Sequence, residues 1–355
     1  MIYILISLIV LGYLYLFYKP IQSIENVGFK NKYRGFLPTF LILAFFSAIR
    51  DNCGCDYESY MIHIENIQLG RFNYMEPGFQ EAVRQLAKID DNPRFVIIIF
   101  GVLTCFFYLF AIWNQSTNRS FSVFIFLTWG YYFLTYNTIR NYFVLSLILC
   151  AIPLLLKQKH IIFVSILLFA ATFHKSALFC IPIYYIAVNI QFKKNHVFPL
   201  IILTIVLLLS ESYLRSFVFS VYGGYENSEY DTGSISYLNI LKAFLVIWIY
   251  IKFNIKDLND SLCNFYFNLN VFALVLYVGT YWLPEISRIG FYLNATVIFF
   301  IPRMLDNLIN FSQKQGLKTI IYCGSFILFL LLLNSFTSKT IRLLPYKTWL
   351  FDGIY

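Results

Sequence analysis

Apolar runs recur along the whole of this chain, at residues 2–18, 36–49, 94–113, 121–136, 141–156, 161–173, 176–190, 197–210, 238–251, 265–283, 289–302 and 319–335. Lipid offers no partner to a backbone N–H or C=O, so apolar runs of about 17–25 residues cross a membrane as helices. The pattern therefore predicts an all-α fold, a polytopic transmembrane helical bundle of about twelve spans. Runs 161–173, 176–190, 197–210 and 238–251 are shorter than a span. There either a helix extends past its polar boundary, or a half-length helix lies buried in protein. Composition agrees, with 59% apolar and only 13% charged residues, where soluble domains carry about 25% charged. No Pro/Ser-rich linker, internal repeat or low-complexity tract divides the chain, so residues 1–355 are expected to form a single integral membrane domain. The first run lacks a basic leader and a small-residue cleavage site, which predicts a retained span in place of a signal peptide.

Lys and Arg in the links set an orientation. Alternate links carry Lys19, Lys30, Lys32 and Arg34; Arg119; Lys157 and Lys159; Lys193 and Lys194; Lys252 and Lys256; and Arg303, Lys314 and Lys318. These are placed in the cytoplasm, where only Glu25, Asp257, Asp260 and Asp306 oppose them. The net charge of +9 is then a topology signal that calls for no nucleic-acid partner. Both termini fall outside, although Lys339, Arg342 and Lys347 in the tail argue mildly against this for the C-terminus.

Two outer-face loops follow, 50–93 and 211–237. The first holds Arg50, Asp51, Asp56, Glu58, Glu65, Arg71, Glu76, Glu81 and Arg84 between apolar blocks. Helical spacing of Tyr57, Tyr60, Met61, Ile64 and Ile67, and then of Phe79, Ala82, Val83 and Leu86, predicts two short amphipathic helices on the membrane surface. Asp56 is placed to be the N-cap of the first. The second loop is acidic and rich in Gly, Ser and Tyr, and suits a flexible cover or a plain connection. Arg50, Arg140, His174 with Lys175, and Glu285 with Arg288 interrupt or end apolar runs on this same outer side. Singly, each basic residue fits an interfacial anchor. Together they point to an anionic ligand, for which the planar Arg fork is suited.

No phosphate-cradling Gly-rich loop and no HExxH motif is present, and Cys53-Gly54-Cys55 has the wrong spacing for a zinc pair. Neither cofactor nor metal is expected. A bond between Cys53 and Cys55 would be strained, so both are expected as free thiols. His63, His160 and His196 suit loop or interface positions and receive no role.

The order of short motifs resembles the EpsG family of Wzy-type O-antigen and exopolysaccharide polymerases. The resemblance rests on Arg50, on Gly54-Cys55-Asp56-Tyr57 with Tyr60, and on Glu76-Pro77-Gly78-Phe79. It continues in Thr138-Ile139-Arg140-Asn141, Phe173-His174-Lys175-Ser176-Ala177 and Arg288-Ile289-Gly290-Phe291-Tyr292. The Cys-Gly-Cys insertion and Lys175 after His174 depart from the family pattern.

The resemblance implies a metal-independent membrane glycosyltransferase, similar in fold to C-type multi-span glycosyltransferases, in a bacterial cytoplasmic (inner) membrane. It would transfer an undecaprenyl-diphosphate-linked glycan onto a lipid-linked repeat unit, with its active site at the periplasmic face. Its partners would be those lipid-linked oligosaccharides, membrane lipid and a chain-length regulator protein. Arg50, Arg140, Lys175 and Arg288 would hold diphosphate, with Tyr57, Tyr60 and Tyr292 on the glycan. Asp56, Glu76 and His174 are the candidate proton acceptors. Asp56 leads, because it follows a Gly turn close to Arg50, and His174 comes second. Each also has a structural reading: Asp56 as a cap, Glu76 as a helix-start acid, His174 as an interfacial ring. Two other classes stay open. One is a flippase or transporter of lipid-linked sugars, which more often shows repeats and midplane polar groups. The other is a membrane O-acyltransferase using His174.

Overall fold

A computed structural model describes residues 2–18, 33–192, 196–221, 236–253, 260–308 and 310–350, without the side chains of 217–221 and 284–288. Lys19, Lys30, Lys32, Lys193, Lys194, Lys256 and most of loop 211–237 lie outside the described residues, as do the side chains of Glu285 and Arg288.

In chain order, α1 (Ile2–Phe17) and α2 (Phe36–Ala48) precede a two-residue strand, β1 (Arg50–Asp51). Helices α3 (Tyr57–Gln68) and α4 (Pro77–Ala87) follow, then α5 (Pro93–Gln115), α6 (Arg119–Thr128), α7 (Tyr131–Leu134), α8 (Ile139–Leu156) and α9 (His160–Ala171). The next set is α10 (Ala177–Asn189), α11 (Val197–Leu209), α12 (Glu211–Val221), α13 (Tyr237–Lys252), α14 (Ser261–Gly279), α15 (Pro284–Asn294) and α16 (Val297–Asp306). The chain closes with α17 (Phe311–Ser335) and β2 (Lys347–Thr348).

Each expected apolar run lies on helix, and two are broken. Run 121–136 breaks at Gly130, whose φ of +81° lets the chain turn between α6 and α7. Run 289–302 bends between Asn294 and Val297. Five stretches are long and apolar enough to cross a membrane: Pro93–Gln115, Ile139–Leu156, Ser261–Gly279, Ile289–Asp306 and Phe311–Ser335. Shorter apolar helices accompany them, among them α11, which buries none of its side chains against the protein. Its exposed Phe198, Ile201, Ile202 and Leu209 would form a large apolar patch in water. Lipid removes that cost, and the protein is a multi-pass membrane protein on these grounds.

The described chain gathers into two compact units, one of 1–175 with 308–355 and one of 176–307. In the second, α14 is the central helix, packed by α10, α11, α13, α15 and α16. Its buried amides donate locally: Asn294 Nδ2 donates to Asn270 Oδ1 at 2.9 Å, and Asn268 Nδ2 donates to the Ala187 carbonyl at 2.8 Å. Asp260 holds Arg303 and Asn307 at 2.7–2.9 Å while its carboxylate also caps α14 at Cys263 N–H.

In the first unit α5 is central, packed by α2 and α8 along its length. Asn92 caps it through Arg94 N–H at 3.0 Å, and Pro93 occupies its first turn, where no N–H is needed. The two amphipathic helices form where spacing placed them, but lie on protein. α3 buries Tyr57, Tyr60, Ile64 and Ile67, α4 buries Phe79 and Val83, and the pair pack on each other and on α5. Their apolar stripes therefore have protein neighbours where the spacing alone implied a lipid surface.

The tail straps this end of the unit. β2 pairs antiparallel with β1, Arg50 opposite Thr348 and Asp51 opposite Lys347. Gly54 N–H donates to the Arg342 carbonyl at 2.9 Å, and Cys55 N–H to that of Ile341 at 3.1 Å. Arg342 returns its guanidinium to Asn52 Oδ1 at 2.8 Å. Tyr346 donates to the Phe46 carbonyl and Trp349 Nε1 to that of Ala48. From the other end of the chain, Tyr3 donates to the Leu343 carbonyl. Tyr3 and the tail therefore share one face with loop 50–93.

Candidate functional site

Three sequence-distant motifs meet on the first unit, and two glycines allow it. Gly78 stands at the start of α4, and its N–H donates to the Thr172 carbonyl at 2.8 Å. A Cβ there would lie 2.2 Å from Thr172 Oγ1. Only the missing side chain lets α4 seat its first turn on the bend after α9. Gly54, with φ +106°, likewise sits where a Cβ would lie 2.7 Å from the Tyr136 carbonyl. That contact brings Asn137 Oδ1 within 3.2 Å of Asp56 N–H and 3.1 Å of Cys55 Sγ.

Glu76 occupies the N-cap position of α4, yet its carboxylate makes no cap bond. It reaches across instead. Oε2 accepts Arg140 from the start of α8. Oε1 faces His174 Nδ1 at 3.3 Å and accepts Lys175 backbone N–H at 3.2 Å. Arg140 also turns Nε toward the Tyr60 hydroxyl at 3.4 Å, with its guanidinium 5.8 Å from the Tyr60 ring and 5.5 Å from that of Phe79. The side chains of Glu76 and Arg140 are 11% and 14% exposed. In such surroundings an ion pair is little screened. Burial pushes the Glu76 carboxyl up. The His174 hydrogen bond and the charges of Arg140 and His174 outweigh it and hold the group at about 2.

Glu76 does stand where α4 begins, as its place before Pro77 implied, but its carboxylate is engaged by Arg140, His174 and Lys175 and does not cap the helix. A carboxylate held below its ordinary range by these partners is a weakened base, which favours a positioning role for Glu76. Asp56 stands at the N-cap position of α3 but also makes no side-chain cap bond, since its αR backbone (φ −86°, ψ −5°) points the carboxylate elsewhere. It accepts Cys55 S–H at 3.4 Å and is half-buried.

The other expected site residues scatter. Lys175 is exposed beside His174. Tyr57 is buried and donates to Asp51 Oδ1 at 3.1 Å, next to an Asp51–Arg94 ion pair at 2.9 Å. Arg50 is 1% exposed and turned into the bundle, with Nη1 on the Ser47 carbonyl and hydroxyl and its guanidinium 4.8 Å from the Tyr136 ring. Closing the end of α2, it is away from solvent and lies outside the cluster of Glu76. Tyr292 is fully buried in the second unit, its carbonyl accepting Tyr184 O–H at 3.1 Å. Cys53 and Cys55 are free thiols. Among the described residues no three His, Cys, Asp or Glu side chains group as a metal site.

Sequence reasoning missed Asn137, His63, Asn73 and Tyr74. The signals were positional: Asn137 precedes Arg140 by three residues, His63 follows Tyr60 by three on one helix, and Tyr74 precedes Glu76 by two.

The model of the EpsG family matches residues 34–348. The chain belongs to the EpsG family. No curated protein and no solved structure matches this EpsG-family chain. The match covers every element of the cluster, from Gly54 to His174, together with the strap up to Thr348. It supports a polysaccharide-polymerase-like membrane protein.

Proposed function

We propose that this EpsG-family protein is a membrane polysaccharide polymerase, transferring a glycan from a lipid-linked diphosphate donor to the hydroxyl of a lipid-linked repeat unit. The observation that carries the reading is the Glu76–Arg140–His174 cluster, three polar residues from three segments on one face of a largely apolar protein. Two roles are needed. A base must take the acceptor proton, and cations must stabilise the departing diphosphate. His174 fills the first. Its Nδ1–H points to Glu76, so the neutral ring carries the lone pair on Nε2. Glu76 is the positioning residue, fixing the tautomer and the ring. Lys175 and Arg140 fill the second role, with Arg140 exchanging part of its hold on Glu76 for phosphate oxygens. The undecaprenyl carrier, the location at the outer face of a bacterial cytoplasmic membrane and catalysis without a metal all belong to this proposal.

The test is reconstitution of purified protein with lipid-linked repeat units. Wild type should form polymer. His174→Gln should be folded and slower by roughly 10²–10⁴-fold. Asp56→Asn should stay near wild type, which separates His174 from the leading alternative in the sequence. Movement of lipid without polymer would make the protein a flippase, and acyl transfer would make it an acyltransferase. Full turnover in His174→Gln would remove the base.

A further inference from the structure

Two residues before Glu76 stands Tyr74, which the polymerase reading leaves without a role. Its side chain is largely in solvent, 71% exposed, yet its orientation is fixed by a chain of three residues. Asn73 is buried, and its Oδ1 accepts Met75 N–H at 3.0 Å. That bond settles which end of the amide is Nδ2. Nδ2 then donates toward the His63 carbonyl at 3.1 Å and His63 Nδ1 at 3.2 Å. A nitrogen that accepts carries no hydrogen, so the neutral imidazole has its hydrogen on Nε2. Burial first, and the charge of Arg140 second, lower the His63 pKa, so the neutral ring is the form present at pH 7.

Nε2–H of His63 donates to the Tyr74 hydroxyl oxygen at 2.9 Å, and the two rings meet edge to face with centroids 4.8 Å apart. Because that oxygen receives a hydrogen from His63, the phenol keeps its own hydrogen to give. Gln80 stiffens the same turn, donating to the Asn73 and Met75 carbonyls at 3.1 and 2.6 Å. The hydroxyl stands within electrostatic reach of Arg140, Tyr60, Asp56 and Glu76. Tyr74 therefore presents a flat apolar ring and one oriented O–H donor at the rim of the cluster.

The complement of that pair is a saccharide. A pyranose offers an apolar C–H face and a circle of oxygen acceptors, and a rigid aromatic meets both at little entropic cost. A phosphate would be drawn to Lys175 and Arg140, where the positive charge is. We infer that Tyr74, fixed by His63 and Asn73, is a saccharide-binding residue. It stacks on one pyranose ring and donates to one of its oxygens, setting that sugar beside Glu76, Arg140 and His174. The polymerase reading supplies the reason for a sugar to arrive there.

The probe is the repeat oligosaccharide released from the cell's lipid-linked pool by mild acid, carrying neither lipid nor phosphate. Its binding is measured by saturation-transfer NMR titration on purified wild type, Tyr74→Ala and Tyr74→Phe. Tyr74→Ala should bind about tenfold or more weakly, and Tyr74→Phe, which keeps the ring, about fivefold more weakly. Thermal melting of the Tyr74 variants should match wild type, because the side chain is exposed. Equal affinity in wild type and Tyr74→Ala overturns the inference and leaves Tyr74 an interfacial aromatic. Absence of binding by wild type also overturns it. If binding depends on Tyr74 while wild type forms no polymer from lipid-linked units, the polymerase reading falls and the saccharide site stands.

Discussion

Replacing Gly78 with Ala adds one carbon, and its expected effects on helix stability and on activity have opposite signs. Gly78 lies within α4, where Ala is favoured over Gly by about 1 kcal/mol in helix propensity. The obstacle is contact. The new Cβ would sit 2.2 Å from Thr172 Oγ1, 2.7 Å from Thr172 Cβ and 2.8 Å from the Thr172 carbonyl oxygen. A rotamer change can move Oγ1, but Cβ and the carbonyl belong to the bend itself. Ordinary carbon contacts lie at about 3.5–4.0 Å, so the first turn of α4 must back away by about 1 Å. Glu76 is two residues upstream and moves with it. Its 3.3 Å approach to His174 Nδ1 then passes the range of a hydrogen bond. A displacement of about 1 Å at a reacting centre costs about 10²-fold in rate. Gly78→Ala should therefore fold, melt lower than wild type because overpacking of about 1–3 kcal/mol offsets the propensity gain, and lose about 10²-fold in polymer formation by reconstituted protein. Thr172→Gly removes two of the three clashing atoms, so the double variant should recover part of the loss. Wild-type turnover in Gly78→Ala would refute the view that this seat sets Glu76 against His174.

Arg140→Ala should abolish polymer in the same assay, and Arg140→Lys should remain poor. A point charge cannot hold Glu76 and a phosphate in one plane, nor lie flat against Tyr60 and Phe79. For Glu76 the folded pKa of about 2 lies below its ordinary 4.5, so its contribution to stability is present above pH 4.5 and is lost as pH falls toward 2. Melting curves of wild type and Glu76→Gln should therefore converge across that window; a gap that persists at the acid end would contradict it. Purified protein treated with EDTA should still form polymer, and loss restored only by Mg²⁺ or Mn²⁺ would point to acids of loop 50–93 as ligands.

The parts of this molecule that follow from periodicity were legible in its sequence. Helices α3 and α4 are an example, since Tyr57, Tyr60, Ile64 and Ile67 repeat at helical spacing and are the residues buried. What periodicity does not encode is the neighbour, so a stripe that packs on α5 read as one for lipid. The candidate site was legible as residue types, Glu76, Arg140 and His174 among them. Their pairing was not, because it depends on Gly78 meeting Thr172 across 94 positions of chain. Arg50 shows the converse. An Arg at the end of an apolar run looks the same in sequence whether it faces a ligand or folds back on Ser47.

The strap has a consequence in time. Its residues, from Ile341 to Trp349, leave the ribosome after every described helix has been made. Until they arrive, β1 has no partner strand and the backbone N–H groups of Gly54 and Cys55 lack the carbonyls they use in the finished fold. The turn that carries Asp56, and through Asn137 the start of α8, is thus secured only once Ile341 to Trp349 have been made. A chain stopped short of Ile341 would hold its helices in lipid with this turn still loose. A polymerase of the proposed kind, assembled in that order, would have its outer turn formed only after its described helices are made.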